Sequence, residues 1–279
     1  INYIIKLKFK SYYYINNLLE NNKLEKGGLP LKLTENIDAV IYKNGIKEEK
    51  KEVVVNDQIV EMVINNTITR RFSVIYDSLE EFTVGYLLGE SLINNIEDIK
   101  SIAISEGVIN VQVKKENVAE KETVLCSDAS GGQRCKINEV NPLPSTLKVT
   151  KEELIENMEK LKEKATIWSA TGGAHVAALV YEDKFIVKED VSRHVAVDKS
   201  IGAGLLEGVD LTKSYIIYSG RMPADMVIKI DRAQIQMLVS NAAPSLSGCK
   251  IAKEGNITLV GFLRGNRFNI YTNPERVIF

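Results

Sequence analysis

Both histidines of the chain fall in two short blocks whose residue types could hold an anion. The first is Thr171-Gly172-Gly173-Ala174-His175, where two residues without a Cβ let the backbone come close to a ligand. The second runs from Glu189 to Lys199 and places acids (Asp190, Asp198), bases (Arg193, Lys199) and an imidazole (His194) at the start of an expected helix. Downstream, Ser219-Gly220-Arg221 follows a β-rich run, the place where an α/β sheet presents a ligand loop, and Lys229 lies in the helix after it. Asn241-Ala242-Ala243-Pro244 ends one strand and opens a helix, offering free N–H groups. Arg264, Asn269 and Tyr271 sit in a last hairpin. Arg193, Lys199, Arg221 and Lys229 suit charge-assisted contacts, while His194 and Asp198, four apart, share one helix face, as a purely structural pair also would.

Elements that position these residues are legible from periodicity. VVVNDQIVEMVINN from Val53 predicts two strands joined by a tight turn at Asn56-Asp57. Ser78-x-x-Glu81 is a capping-box pattern, followed by Phe82, Tyr86, Leu87 and Ile93 at helical spacing, with an end expected near Asn94-Asn95. SIAIS and VINVQVKK flank a Glu106-Gly107 turn, giving an α+β unit over 35–121. Residues 122–148 read as a loop that carries Cys126 and Cys135 and closes with Pro142 and Pro144. Thr150-x-x-Glu153 then caps a helix with the stripe Leu154, Met158, Leu161, and strands alternate with helices to the end. The expectation for 149–279 is a mixed sheet covered by helices, with ligands at loops leaving the strand ends, and for the whole chain an α/β, overall α+β, class.

A hydrophobic share of 44% in 279 residues supports one large or two modest cores, and a formal charge of -1 gives no global field for nucleic acid or an anionic membrane. Cys126, Cys135 and Cys249 are too few for a disulfide framework or a four-cysteine zinc site, which points to a reducing, cytoplasmic setting; Cys249, in an amphipathic helix, reads as core. Lysines interrupt the apolar opening INYIIKLKFK, so residues 1–34 read as a divergent or appended extension, neither signal peptide nor membrane helix.

The ordered set TGGAH, EDVSRHVAVDKSIG, SGRMPADMVIK, NAAPSL and TLVGFLRGNRFNIYTNPERV resembles the formate dehydrogenase accessory protein family, FdhD/NarQ, most densely from Thr171 to Val277. The resemblance implies a cytidine-deaminase-like fold for the second half. It also implies receipt of persulfide sulfur from a cysteine desulfurase and delivery to the molybdenum (or tungsten) cofactor of apo-formate dehydrogenase. The cofactor implied is bis-molybdopterin guanine dinucleotide, bound as cargo by the C-terminal half with guanine nucleotides such as GDP as partial mimics, and the chain would be a homodimer with that site near its interface. Gly172, Gly173, His175, Asp190, Arg193, His194, Asp198, Lys199, Ser219, Gly220, Arg221, Lys229, Asn241, Ala243, Arg264 and Tyr271 are the candidate cofactor contacts. Cys126 and Cys135 are the candidate sulfur carriers; the family's Cys-x-x-Cys is here Cys126-Ser127-Asp128-Ala129, and Pro223 and Asp225 replace a small hydroxyl and a Glu. A non-catalytic cofactor chaperone is the alternative. Deaminase chemistry lacks its H-x-E with a cysteine pair, so no resident metal is expected, and GTP hydrolysis lacks GxxxxGK[ST].

Overall fold

The computed structural model describes residues 32–115, 123–125, 133–135 and 140–279. It opens with an antiparallel hairpin, β1 (Thr34–Lys43) and β2 (Ile46–Val55), turned by Asn44-Gly45. Both turn residues have positive φ, the backbone a two-residue hairpin turn demands. The break at Asn56-Asp57 is not a second hairpin. Asn56 instead extends the first ladder, its backbone N–H donating to Leu33 O (2.9 Å) and its amide to Lys32 O (2.8 Å). The chain then crosses to a new sheet, where β3 (Asp57–Ile64) pairs with β4 (Ile68–Ile75).

Helix α1 (Leu79–Gly89) follows and stops earlier than the apolar spacing suggests. Its capping box is not formed: Ser78 is left-handed, its hydroxyl donates to Asp77, and Lys188 bonds both Ser78 Oγ (2.8 Å) and Glu81 (2.9 Å). A cation from the other half of the chain has captured both members of the motif. The expected hairpin of β5 (Ile99–Ser105) and β6 (Val108–Val113) is present, and the first sheet has the order β4-β3-β6-β5. Within the cysteine-bearing stretch, β7 (Thr123–Leu125) pairs with β8 (Gln133–Cys135).

Beyond it come β9 (Val149–Thr150), α2 (Lys151–Lys164), α3 (Thr166–Thr171), β10 (His175–Tyr181), β11 (Lys184–Asp190), α4 (Arg193–Leu206), β12 (Tyr215–Tyr218), α5 (Ala224–Arg232), β13 (Met237–Ser240), α6 (Leu246–Glu254), β14 (Thr258–Arg264), β15 (Arg267–Thr272) and β16 (Val277–Ile278). Thr150 caps α2 as its sequence predicts, accepting from Glu153 N at 3.1 Å. Six of these strands form a sheet of order β11-β10-β12-β13-β14-β15, parallel across β12, β13 and β14 and antiparallel at both flanks. Alternation assigns its faces. Val176, Ala178, Val180, Tyr215, Ile217, Met237 and Val239 pack with the Leu154, Met158 and Leu161 stripe of α2. Ala177, Leu179, Ile216, Tyr218, Leu238 and Leu259 face α4 and α5, and the same cluster continues through α1 into Val60, Met62 and Ile64 of the first sheet. The protein is thus α+β, and its two sheets share one apolar interior.

Helices α1 and α4 meet almost backbone to backbone in that interior. A Cβ on Gly85 would lie 1.9 Å from Asp198 O, and one on Gly202 would lie 1.9 Å from Glu81 O. Only glycine permits such an approach.

Candidate functional site

Sheet register gathers the sequence motifs at one edge. Because β10 runs antiparallel to β12, with Ala177 opposite Tyr218, the start of β10 meets the end of β12. His175 Nδ1 lies 3.2 Å from Ser219 Oγ, which also accepts from Val176 N (3.1 Å). On the other side His175 is opposite Asp190, and α4 starts three residues later at Arg193. Gly220 carries the Arg193 side chain directly against it: an added Cβ would be 3.0 Å from Arg193 Cβ and Cδ and 2.7 Å from the Tyr218 ring.

The loops after the parallel strands are laced together. Ser240 Oγ donates to Gly220 O (2.6 Å), Met222 N to Ala243 O (3.1 Å) and Ser245 N to Met222 O (3.1 Å). Arg264 Nε donates to Asn241 O (3.0 Å), and Asn269 Nδ2 to Tyr271 OH (3.2 Å), whose ring flanks Gly261. The result is a cluster of loops at the carboxyl ends of parallel strands, the end where open α/β sheets bind ligands.

Its charge is positive and partly unanswered. Among the described residues, Arg193 Nε and Nη2 are buried with no hydrogen-bond partner, a rare condition for a guanidinium. Arg221 is exposed beside it. Burial, then Arg193, then Arg221, hold His175 below the ordinary imidazole range, so that ring favours its neutral form. Arg193, Arg221 and Asp225 also all act on the buried Tyr218 phenol, which burial first of all pushes far up. Two guanidiniums, a neutral imidazole and a hydroxyl around an open edge suit a phosphate or other anion.

Other expected contacts serve the frame. Asp190 and Lys199 are both fully buried and 2.8 Å apart; Lys199 donates to Ile75 O (2.9 Å), while Asp190 accepts from Ile75 N and Ser192 N (3.0 Å each). They join the first sheet to the root of α4 rather than reach outward. Burial pushes the Asp190 carboxyl up even though Lys199 opposes it. His194 Nε2 is 3.1 Å from Asp225 Oδ2, and Asp198 is ion-paired with Lys229; His194, Asp198 and Lys229 are buried and Asp225 is partly buried. Both residues of the helix face thus have tertiary partners on α5.

Gly172 caps α3 at φ 64 and is exposed, whereas Gly173 gives room to Val55, whose Cγ1 would be 3.0 Å from an added Cβ. The role of Glu189 escapes a sequence reading: its carboxylate accepts from Ile167 N (3.0 Å), Trp168 N (2.7 Å) and the Thr166 hydroxyl, fixing the segment that leads into the glycines. Tyr218 carries no motif signal either. Cys249 is half-buried against the core, and burial raises its thiol pKa, the opposite of an activated thiolate. Cys126 lies outside the described residues, and Cys135 ends β8.

Comparison with known proteins gives one consistent answer. The FdhD/NarQ family profile matches residues 55–278. A protein of Methanothermobacter thermautotrophicus called sulfur carrier protein FdhD is 46% identical over 237 residues, covering 84% of this chain and 96% of its own. One of the same name from Wolinella succinogenes is 34% identical over 239 residues, covering 82% and 84%. Among solved structures, a putative formate dehydrogenase accessory protein of Desulfotalea psychrophila superposes with a TM-score of 0.75 at 27% identity, over 88% of this chain and 100% of its own.

Proposed function

Since the chain belongs to the FdhD/NarQ family, we propose that it is a sulfur carrier that assists maturation of a formate dehydrogenase. On this reading Cys126 accepts sulfur from a cysteine desulfurase, and the loops around Arg193 hold the guanine-dinucleotide molybdenum or tungsten cofactor that receives it. Homodimerisation belongs to the same reading. The Cys126 thiolate attacks the terminal sulfur of the donor persulfide; a new S–S bond forms, the donor's S–S bond breaks, the donor thiolate leaves, and the proton stays on the transferred sulfur. Lys121, Arg134 and Lys136, close in sequence, favour the thiolate.

The observation that carries the cofactor half is Arg193, whose buried Nε and Nη2 have no hydrogen-bond partner among the described residues, while Gly220 makes room for its stem. Both nitrogens lie on one side of a planar fork suited to a phosphate. Arg221 and His175 flank it, and Asp225 braces the neighbouring His194. Cys126 and Cys135, eight residues apart instead of in a Cys-x-x-Cys, favour a second reading in which the protein only chaperones the cofactor.

Incubation with a cysteine desulfurase and cysteine, followed by peptide mass spectrometry, separates the two. A persulfide on the Cys126 peptide that is lost in Cys126→Ala and kept in Cys135→Ala supports the carrier. No persulfide on either peptide, with GDP binding intact by calorimetry, leaves the chaperone.

A further inference from the structure

The β1–β2 hairpin stands apart from the apolar interior. Ile37, Val40 and Tyr42 are 47%, 57% and 74% exposed, and the outer edge of β1 pairs with no strand among the described residues. A lone two-stranded ribbon is marginal in water, and an open edge is a template for another strand. The two edges differ. From Lys47 to Glu52 every residue of β2 is charged, which guards that edge, whereas Ala39 to Tyr42 of β1 carries no charge at all.

Hydrogen-bond parity fixes how β1 can be extended. Leu33 O accepts from Asn56 N, and the Asn44-Gly45 turn closes on the Lys43 and Ile46 pair, so odd-numbered β1 residues bond inward to β2. Asn36, Asp38, Val40 and Tyr42 therefore present N–H and C=O groups outward. A second β1 laid antiparallel about a twofold axis at Ala39 matches over the whole strand. Glu35 then faces Lys43 of the second copy, Ile37 faces Ile41, Asn36 faces Tyr42, Asp38 faces Val40 and Ala39 faces itself. On one face the order Glu35, Ile37, Ala39, Ile41, Lys43 is self-complementary. Moving the axis to Asp38 sets two carboxylates opposite each other; moving it to Val40 sets Ile37 against Lys43 and strands Glu35.

We propose that this edge is a dimer interface, two β1 strands pairing about Ala39 into a four-stranded β2-β1-β1-β2 sheet. The inference rests on the homodimer reading above and adds its surface and register. Opposite-charge cross-strand pairs stabilise a ladder and like charges directly opposite destabilise it, and symmetry doubles every change.

Light scattering on the full chain tests it. The wild type runs as a dimer; Glu35→Lys or Lys43→Glu alone sets two like-charge pairs and weakens association about ten-fold or more. The double exchange Glu35→Lys with Lys43→Glu restores it. Oxidation of Ala39→Cys with a mild oxidant cross-links two chains through residue 39, because Cα atoms of such a non-bonded pair lie about 4.5 Å apart. All these positions are on the exposed arm, so far-UV circular dichroism stays that of wild type. A monomeric wild type overturns this interface and the homodimer reading together. A wild-type dimer that ignores both single exchanges and yields no residue-39 cross-link overturns the interface alone.

Discussion

Replacing Arg193 by Met separates a ligand-holding arginine from a structural one, because the two roles predict opposite signs. Methionine keeps an unbranched apolar stem against Gly220 and Tyr218 and removes the guanidinium. In the ligand-free protein Nε and Nη2 are buried without partners, and each such donor costs about 1 kcal/mol at the low end of the range. Its charge also opposes protonation of His175. Ligand-free Arg193→Met is therefore more stable than wild type by about 2 kcal/mol, or roughly 6 °C in Tm for a chain of this size. With an anion bound, the same nitrogens make two charge-assisted hydrogen bonds of about 1.5 kcal/mol each, so GDP affinity falls about 100-fold. Calorimetric titration with GDP and thermal unfolding on the same preparations read both signs. NMR titration of the two histidine rings adds a third: the His175 pKa rises when one of its two cationic neighbours goes, though burial, the larger cause, keeps it below the ordinary value. A variant that is less stable and binds GDP within about two-fold of wild type would refute the reasoning, since Arg193 would then be a frame residue.

Gly202→Ala forces a Cβ to within 1.9 Å of Glu81 O, a backbone atom that cannot rotate away, so the stability read by urea unfolding falls by about 3 kcal/mol or more; Gly204→Ala, which meets only the end of the Leu179 side chain, costs less. Lys199→Met strands Asp190 inside and costs about 3–5 kcal/mol in the same assay, and adding Asp190→Asn recovers a large share; a single-variant loss below about 1 kcal/mol contradicts the staple role. Asp231 is pushed up to about 6 by burial, so its neutral form is favoured in the folded state and stability is lost as pH rises from the unfolded value through about 6. Asp231→Asn, discounted for partial exposure, gains about 1 kcal/mol at pH 7.5 and nothing near pH 4, as pH-dependent thermal unfolding would read.

Local chemistry was legible in the chain itself. Thr150-x-x-Glu153 caps its helix, Glu106-Gly107 and Glu182-Asp183 turn their hairpins, and period-two alternation assigns Ala177 and Val176 to opposite faces. Asn44-Gly45 carried an equally plain hairpin signal that places β1 and β2. Order along the chain also implied that Thr171-Gly172-Gly173 leads into a strand while Ser219-Gly220-Arg221 and Asn241 leave strand ends, and the register sets all three at one edge. Partner choice was not legible. Ser78 and Glu81 spell a capping box, yet Lys188 takes both; His194 and Asp198 share a helix face, yet bond to Asp225 and Lys229. Asp190, Lys199 and Arg193 look alike as charged residues near one helix start, but the tertiary structure binds the first two as a buried pair to Ile75 and leaves the third with buried donors unanswered among the described residues. The same holds for glycine: Gly220 makes room for the Arg193 stem, and Gly202 lets two helices touch. Periodicity tells which side of an element is turned inward, a property of a few neighbouring residues. What stands opposite that side is set by segments tens of residues away, and a polar group's role depends on whether one of them answers it.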